Sequence, residues 1–127
     1  MAVGFVRSRR YPVVLEEDKP KPKDEQTIFY LRPISAALRS DFDDAMRSRK
    51  EDSALEGYGK WTTRILHETL VGWENLRDEK GDPISFEADK GGGATDGSLD
   101  ALLATHRYEI AGLSLSGAYL GEVEKKT

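Results

Sequence analysis

Residues 27–31, Thr-Ile-Phe-Tyr-Leu, carry β-branched and aromatic side chains almost without a break, and Arg32-Pro33 follows at once. Proline restricts its predecessor to extended backbone and has no N–H to give a ladder, so a strand over 27–31 stops there. From Ile34 the period turns helical: Ile34, Ala37, Leu38, Phe42, Ala45 and Met46 recur at intervals of three and four, which places them on one face. A chain of 127 residues that changes period in this way has to combine both element types around one core, and a single domain over 1–127 is expected.

The remaining segments extend the pattern. Residues 1–10 read as a flexible N-terminus. Residues 11–15, Tyr-Pro-Val-Val-Leu, predict a short strand, and Pro12 suits an edge position only. Paired with 27–31, it makes a β-hairpin over 11–32. Residues 16–25 hold Pro20 and Pro22 among lysines and acids with no apolar residue to bury, which predicts a flexible or extended connector at the hairpin tip. Residues 33–127 form the helical part. Helix one is expected over 34–52, and helix two, with Trp61, Ile65, Leu66, Leu70 and Trp73, over 59–72, where Gly72 ends it.

A long loop over 74–97 follows, in which Gly91-Gly92-Gly93 supplies slack. Ser98 is the expected N-cap of helix three, residues 98–111, whose stripe is Leu99, Leu102, Leu103, His106 and Ile110. Leu115, Tyr119, Leu120 and Val123 continue as a final helix. The expected fold is α+β and mainly helical: an N-terminal two-stranded β-hairpin packed on three to four helices.

Charge narrows the function classes. Charged residues make up 33% of the chain against an average of about a quarter, and 19 Lys plus Arg face 23 Asp plus Glu for a net charge of −4. That balance disfavours a protein that grips a phosphate backbone, and no nucleic-acid partner is expected. In helix one Arg39, Arg47, Arg49 and Lys50 alternate with Asp41, Asp43, Asp44, Glu51 and Asp52, the pattern of a solvated face. Cysteine is absent, so thiolate metal sites, disulfides and cysteine nucleophiles are excluded. No signal peptide, no membrane-spanning segment and no membrane partner are expected from the short apolar runs.

Chemical motifs fail one by one. His67-Glu68 opens the zinc-protease helix pattern, but Val71 stands where the second histidine belongs. Residues 92–98 half match a phosphate-binding loop, yet the lysine is missing and Asp96 brings a negative charge to the anion's place. Asp78, Asp82, Glu87 and Asp89 resemble raw material for calcium, but Lys80 occupies a ligand position and Pro83 the glycine position. No catalytic residue, cofactor or metal ligand is nominated, and the chain is expected not to be an enzyme. Trp61 reads as core. Trp73, where helix two meets the loop, either anchors that loop or stands partly exposed as a contact residue.

The run from Leu70 to Phe86, with Gly72-Trp73-Glu74, the acidic Asp78-Glu79, Gly81-Asp82-Pro83 and then Ile84 and Phe86, resembles the tail assembly chaperones of tailed bacteriophages. The order of elements over roughly 27–111 agrees with it. The resemblance implies a protein that binds the tape measure protein, keeps it soluble and helps recruit tail tube protein during tail morphogenesis. It also implies action in the host cytoplasm, absence from the mature virion, and no cofactor. Oligomerisation, as a homo-oligomer, is expected. The nominated partner contacts are Trp73 and Phe86 at the turn, and Leu115, Tyr119 and Leu120 near the C-terminus. Two alternatives stand beside this: a head-tail connector or tail terminator ring component, and a small phage protein that binds and inhibits a host protein.

Overall fold

The computed structural model describes residues 9–47 and 58–117. The part of helix one beyond residue 47, the partner candidates Tyr119 and Leu120, and residues 1–8 of the expected flexible N-terminus lie outside the described residues. Within them the fold is α+β: a three-stranded antiparallel sheet in the order β1 (Tyr11–Val13), β2 (Ile28–Leu31), β3 (Leu70–Glu74), and four α-helices. These helices are α1 (Ala36–Arg47), α2 (Tyr58–Thr69), the short α3 (Asp96–Asp100) and α4 (Ala104–Ser116).

The expected hairpin is present. Tyr11 pairs with Leu31 and Val13 with Phe29, and all four side chains are buried on one face. Pro12 faces Tyr30 on the other side of an edge strand, where its missing N–H breaks no ladder. The connector, expected to be flexible, is instead tied down. Asp18 is buried, its carboxylate accepts the Thr27 amide at 3.0 Å and the Lys21 ammonium at 3.0 Å, and a turn of 3-10 helix occupies Lys23–Glu25. Asn75, at φ 60, donates its side-chain amide to the carbonyls of Asp24 and Gln26. A polar segment can thus be ordered by hydrogen bonds to backbone without burying apolar surface.

The hairpin is not isolated, because helix two ends three residues earlier than expected and leads straight into β3. Phe29 pairs with Trp73 and Tyr30 with Gly72. Thr69, fully buried, returns its hydroxyl to the Ile65 carbonyl at 2.9 Å, and Arg32 closes the helix end by donating its backbone amide to the Thr69 carbonyl and its Nε to the Glu68 carbonyl. A guanidinium on the last carbonyls of a helix satisfies otherwise orphaned acceptors at the negative end of its dipole. Gly72 is therefore a strand residue. Its open face is covered by the Arg10 guanidinium, 2.0 Å from where a Cβ would stand, and Arg10 lies over the Tyr30 ring at 4.5 Å.

Helix three is likewise two helices. Thr95 is the N-cap of α3, with its hydroxyl accepting the Ser98 amide at 3.2 Å, while the Ser98 hydroxyl is engaged by the backbone of Glu87. The chain breaks after Asp100, and Arg107 donates from Nη1 to the carbonyls of Leu99 and Leu102. The break lets Leu99 and Leu102 of one segment and Ile110 and Ala111 of the next reach the same core, and it leaves Leu103 outside at 65% exposure. Gly117, at φ 65, caps α4 in the left-handed conformation.

The core joins one sheet face (Tyr11, Val13, Phe29, Leu31, Trp73) to Ile65, Leu66 and Leu70 and to the apolar residues of α3 and α4. α1 runs against α2 in the opposite direction. The Ser35 amide donates to the Glu68 carboxylate at 3.1 Å, Arg64 pairs with Asp41 at 2.8 Å, and Phe42 meets Trp61 edge-on at 5.6 Å. Among the described residues no helix is long and apolar enough to cross a membrane.

Candidate partner-binding surface

The turn that carries the family resemblance is a built structure. After Asn75, Arg77 bridges to Pro83, and the Ile84 amide donates to the Leu76 carbonyl at 2.8 Å. The Asp78 carboxylate accepts the amides of Lys80 and Asp82, and Gly81, at φ 85, turns the chain back. That φ is one that side-chain-bearing residues rarely adopt. Trp73 then closes the turn from below: its Nε1 donates to the Ile84 carbonyl at 2.7 Å, and its ring meets Phe86 edge-on at 5.0 Å and Phe29 at 6.3 Å.

Of the five nominated contacts, the structure brings Trp73 and Phe86 together. Trp73 is 8% exposed and anchors the loop to the sheet. Phe86 and Ile84 lie half-buried against the core. Leu115 belongs to another junction: half-buried on α4, it accepts Arg39 Nη1 of α1 at its carbonyl, 2.5 Å away.

Phe42 and Trp61 are half-buried rather than enclosed, with Arg64 stacked on the outer face of Trp61 at 5.0 Å and Arg39 reaching from the same helix as Phe42 to α4. Helical spacing shows which residues share a face, not whether a second layer covers it. The charges around Phe42, Arg39 on one side and Asp41, Asp43 and Asp44 beside it, are the sequence signal of a rim rather than an interior.

Loop 74–97, expected to be slack around its three glycines, is folded back onto the end of α2. The Asp89 carboxylate accepts the amides of Gly91 and Gly93, Arg32 donates from Nη1 to the Gly91 carbonyl at 2.8 Å, and the Ala94 amide donates to the Leu70 carbonyl. Gly93 is fitted so closely that a Cβ there would stand 1.6 Å from the His67 carbonyl oxygen. His67 meets the Ala94 carbonyl through Nδ1 at 2.5 Å and the Asp96 carboxylate through Nε2 at 2.8 Å, while His106 pairs with Glu17. Of the four loop acids, Asp78 and Asp89 place their carboxylates on backbone amides of their own turns. Among the described residues no group of three or more His, Asp or Glu side chains is placed to hold a metal.

Two clefts flank these elements. One, of about 450 Å³, lies between the 15–27 connector and α4, over Leu15, Asp18, Phe29, Asn75 and His106. The other, of about 440 Å³, lies between α1 and the glycine loop. In the first, burial alone would raise the Asp18 carboxyl, but the Thr27 amide and Lys21, with His106 nearby, outweigh it and hold the group below its ordinary range. A depressed folded-state value means that Asp18 contributes stability above the ordinary carboxylate range, and that this contribution disappears as pH falls through the folded-state value. Asp18→Asn is expected to be less stable than the parent near neutrality, with the gap closing toward acid. Urea midpoints across that pH range measure it, and a gap that stays constant refutes the assignment.

No protein-family model matches the chain, and no curated protein or solved structure is significantly similar to it.

Proposed function

We propose that this chain is a non-enzymatic binding protein of the tail assembly chaperone type, which covers apolar helical stretches of a tape measure protein and delivers tail tube protein to it. The observation that carries this reading is a set of half-covered apolar side chains on the outside of the core: Phe42 and Trp61 where α1 meets α2, Leu115 on α4, and Phe86 beside Trp73, with Arg39, Asp41, Asp43 and Arg64 around the first pair. Such a surface suits a partner helix with an exposed apolar face, since burying both stripes removes them from water while the rim keeps the complex soluble. Trp73, beneath Phe86, supports that surface rather than forming its outer layer. Tyr119 and Leu120 remain contact candidates from the sequence.

The test is co-expression of the tagged chain with the long, helix-rich product encoded next downstream, followed by capture and mass measurement. The long protein is expected to be insoluble alone and to co-purify when this chain is present. Phe86→Ser and Tyr119→Ala, each checked for a retained melting transition, are expected to weaken capture by about tenfold, the loss of a typical contact residue. Undiminished capture by both variants removes the surface assignment. Recovery of the chain in purified virions, or as a closed ring without the long protein, replaces the chaperone reading with a structural component.

A further inference from the structure

We propose that Gly72 and Tyr30 form a guanidinium-binding site on the face of the sheet turned away from the core, filled in this chain by its own Arg10. Successive side chains of a strand point to opposite faces. With Phe29 and Trp73 buried on the core side, Tyr30 and its partner Gly72 stand on the other. Pro12, opposite Tyr30, and Glu74, two residues beyond Gly72, share that outer face. The backbone at Gly72 is that of a strand and carries no positive φ. Its missing Cβ therefore serves no turn. It leaves a notch, in which a Cβ would stand 2.0 Å from Arg10 Nη2 and 3.1 Å from Arg10 Cζ.

The notch suits a flat cation. Arg10 Cζ lies 4.5 Å from the centroid of the Tyr30 ring, within reach of a cation–π contact. The Tyr30 hydroxyl donates to the Glu74 carboxylate, which leaves the phenol richer in electrons and its ring a better partner for positive charge. A guanidinium is planar and weakly hydrated and stacks on such a ring, whereas an ammonium is a compact, strongly hydrated point charge. Arg10 immediately precedes β1, so it fills the site intramolecularly, at the high effective concentration of a short tether. Its side chain stays exposed, and it can leave without opening the core. Arg10 thus acts as a plug: an arginine presented by another molecule enters the notch only when Arg10 is displaced.

The full chain and methylguanidinium as probe test this by NMR, through the ring resonances of Tyr30 assigned with Tyr30→Leu. In Arg10→Ala these resonances are expected to shift and saturate with a Kd of about 30 mM, the strength that one well-placed cation–π contact supports. In the parent, where Arg10 fills the notch, binding is expected to be weaker by about tenfold or more. Methylammonium at the same concentrations controls for charge and salt and is expected to give no saturation. Gly72→Ala added to Arg10→Ala is expected to abolish binding with the melting transition retained, since its methyl group occupies the vacated notch and meets only Tyr30 Cδ2 at 3.7 Å. Equal binding by the parent and Arg10→Ala, an equal response to methylammonium, or binding that survives Gly72→Ala overturns the site.

Discussion

Gly93→Ala is expected to lower stability by about 3 kcal/mol, the upper part of the range for forcing extra volume into a filled site. The Cβ would stand 1.6 Å from the His67 carbonyl oxygen and 2.8 Å from its carbon. Both are backbone atoms of the last turn of α2, and neither can rotate aside as a flexible side chain would. The loop has to lift, and with it go the Ala94 to Leu70 hydrogen bond and the docking of α3. A thermal melt followed by circular dichroism should show a transition lower by about 10 °C. Gly91→Ala is the matched control: its Cβ would meet only the Asp89 carboxylate at 3.4 Å, and its melt should stay close to that of the parent. Equal transitions for the two variants would mean that the loop does not rest on α2.

Trp73→Ala is expected to cost about 4 kcal/mol, in line with the removal of a large buried aromatic. Three losses coincide: the buried ring, the edge-on contacts with Phe29 and Phe86, and the Nε1 hydrogen bond to the Ile84 carbonyl. Trp73→Phe keeps a ring and loses the donor, so it is expected to fall between the parent and the alanine variant. Urea denaturation measures both. A cost below about 1 kcal/mol for Trp73→Ala would show that Gly81-Asp82-Pro83 holds the turn without the indole.

The parts of the fold legible in the sequence were those specified by neighbours along the chain. Residues 27–31 alternate sides and stop at Pro33, and β2 occupies Ile28–Leu31 with Tyr11 and Val13 opposite, as the edge position of Pro12 required. β3 was hidden for a physical reason. Leu70 lies four residues beyond Leu66 and so continues the helical stripe, and what makes it a strand is the ladder edge of Leu31, Tyr30 and Phe29, far away in sequence. Ser98 was the expected cap, but its hydroxyl is engaged by the backbone of Glu87, far enough back in sequence to leave no local sign. Nor does Gly91-Gly92-Gly93 show which glycine meets a backbone carbonyl. In the candidate surface, Trp73 and Phe86 came together because the turn residues between them are locally specified. Trp61 reads as core from its spacing, yet it is only half-buried, because periodicity reports a face and cannot report what covers it.

The direct passage from α2 into β3 also sets the order in which the molecule can assemble. β2 lies in the middle of the sheet, yet its second neighbour is synthesised only after all of α1 and α2. A lone two-stranded hairpin is marginal in water. The β1–β2 pair is therefore expected to keep one ladder edge open until the chain has been made through α2 to β3. Closure of that long-range pairing is the slow step expected of refolding, and Thr69-Leu70, where helix becomes strand with no residue between, is the joint on which it turns.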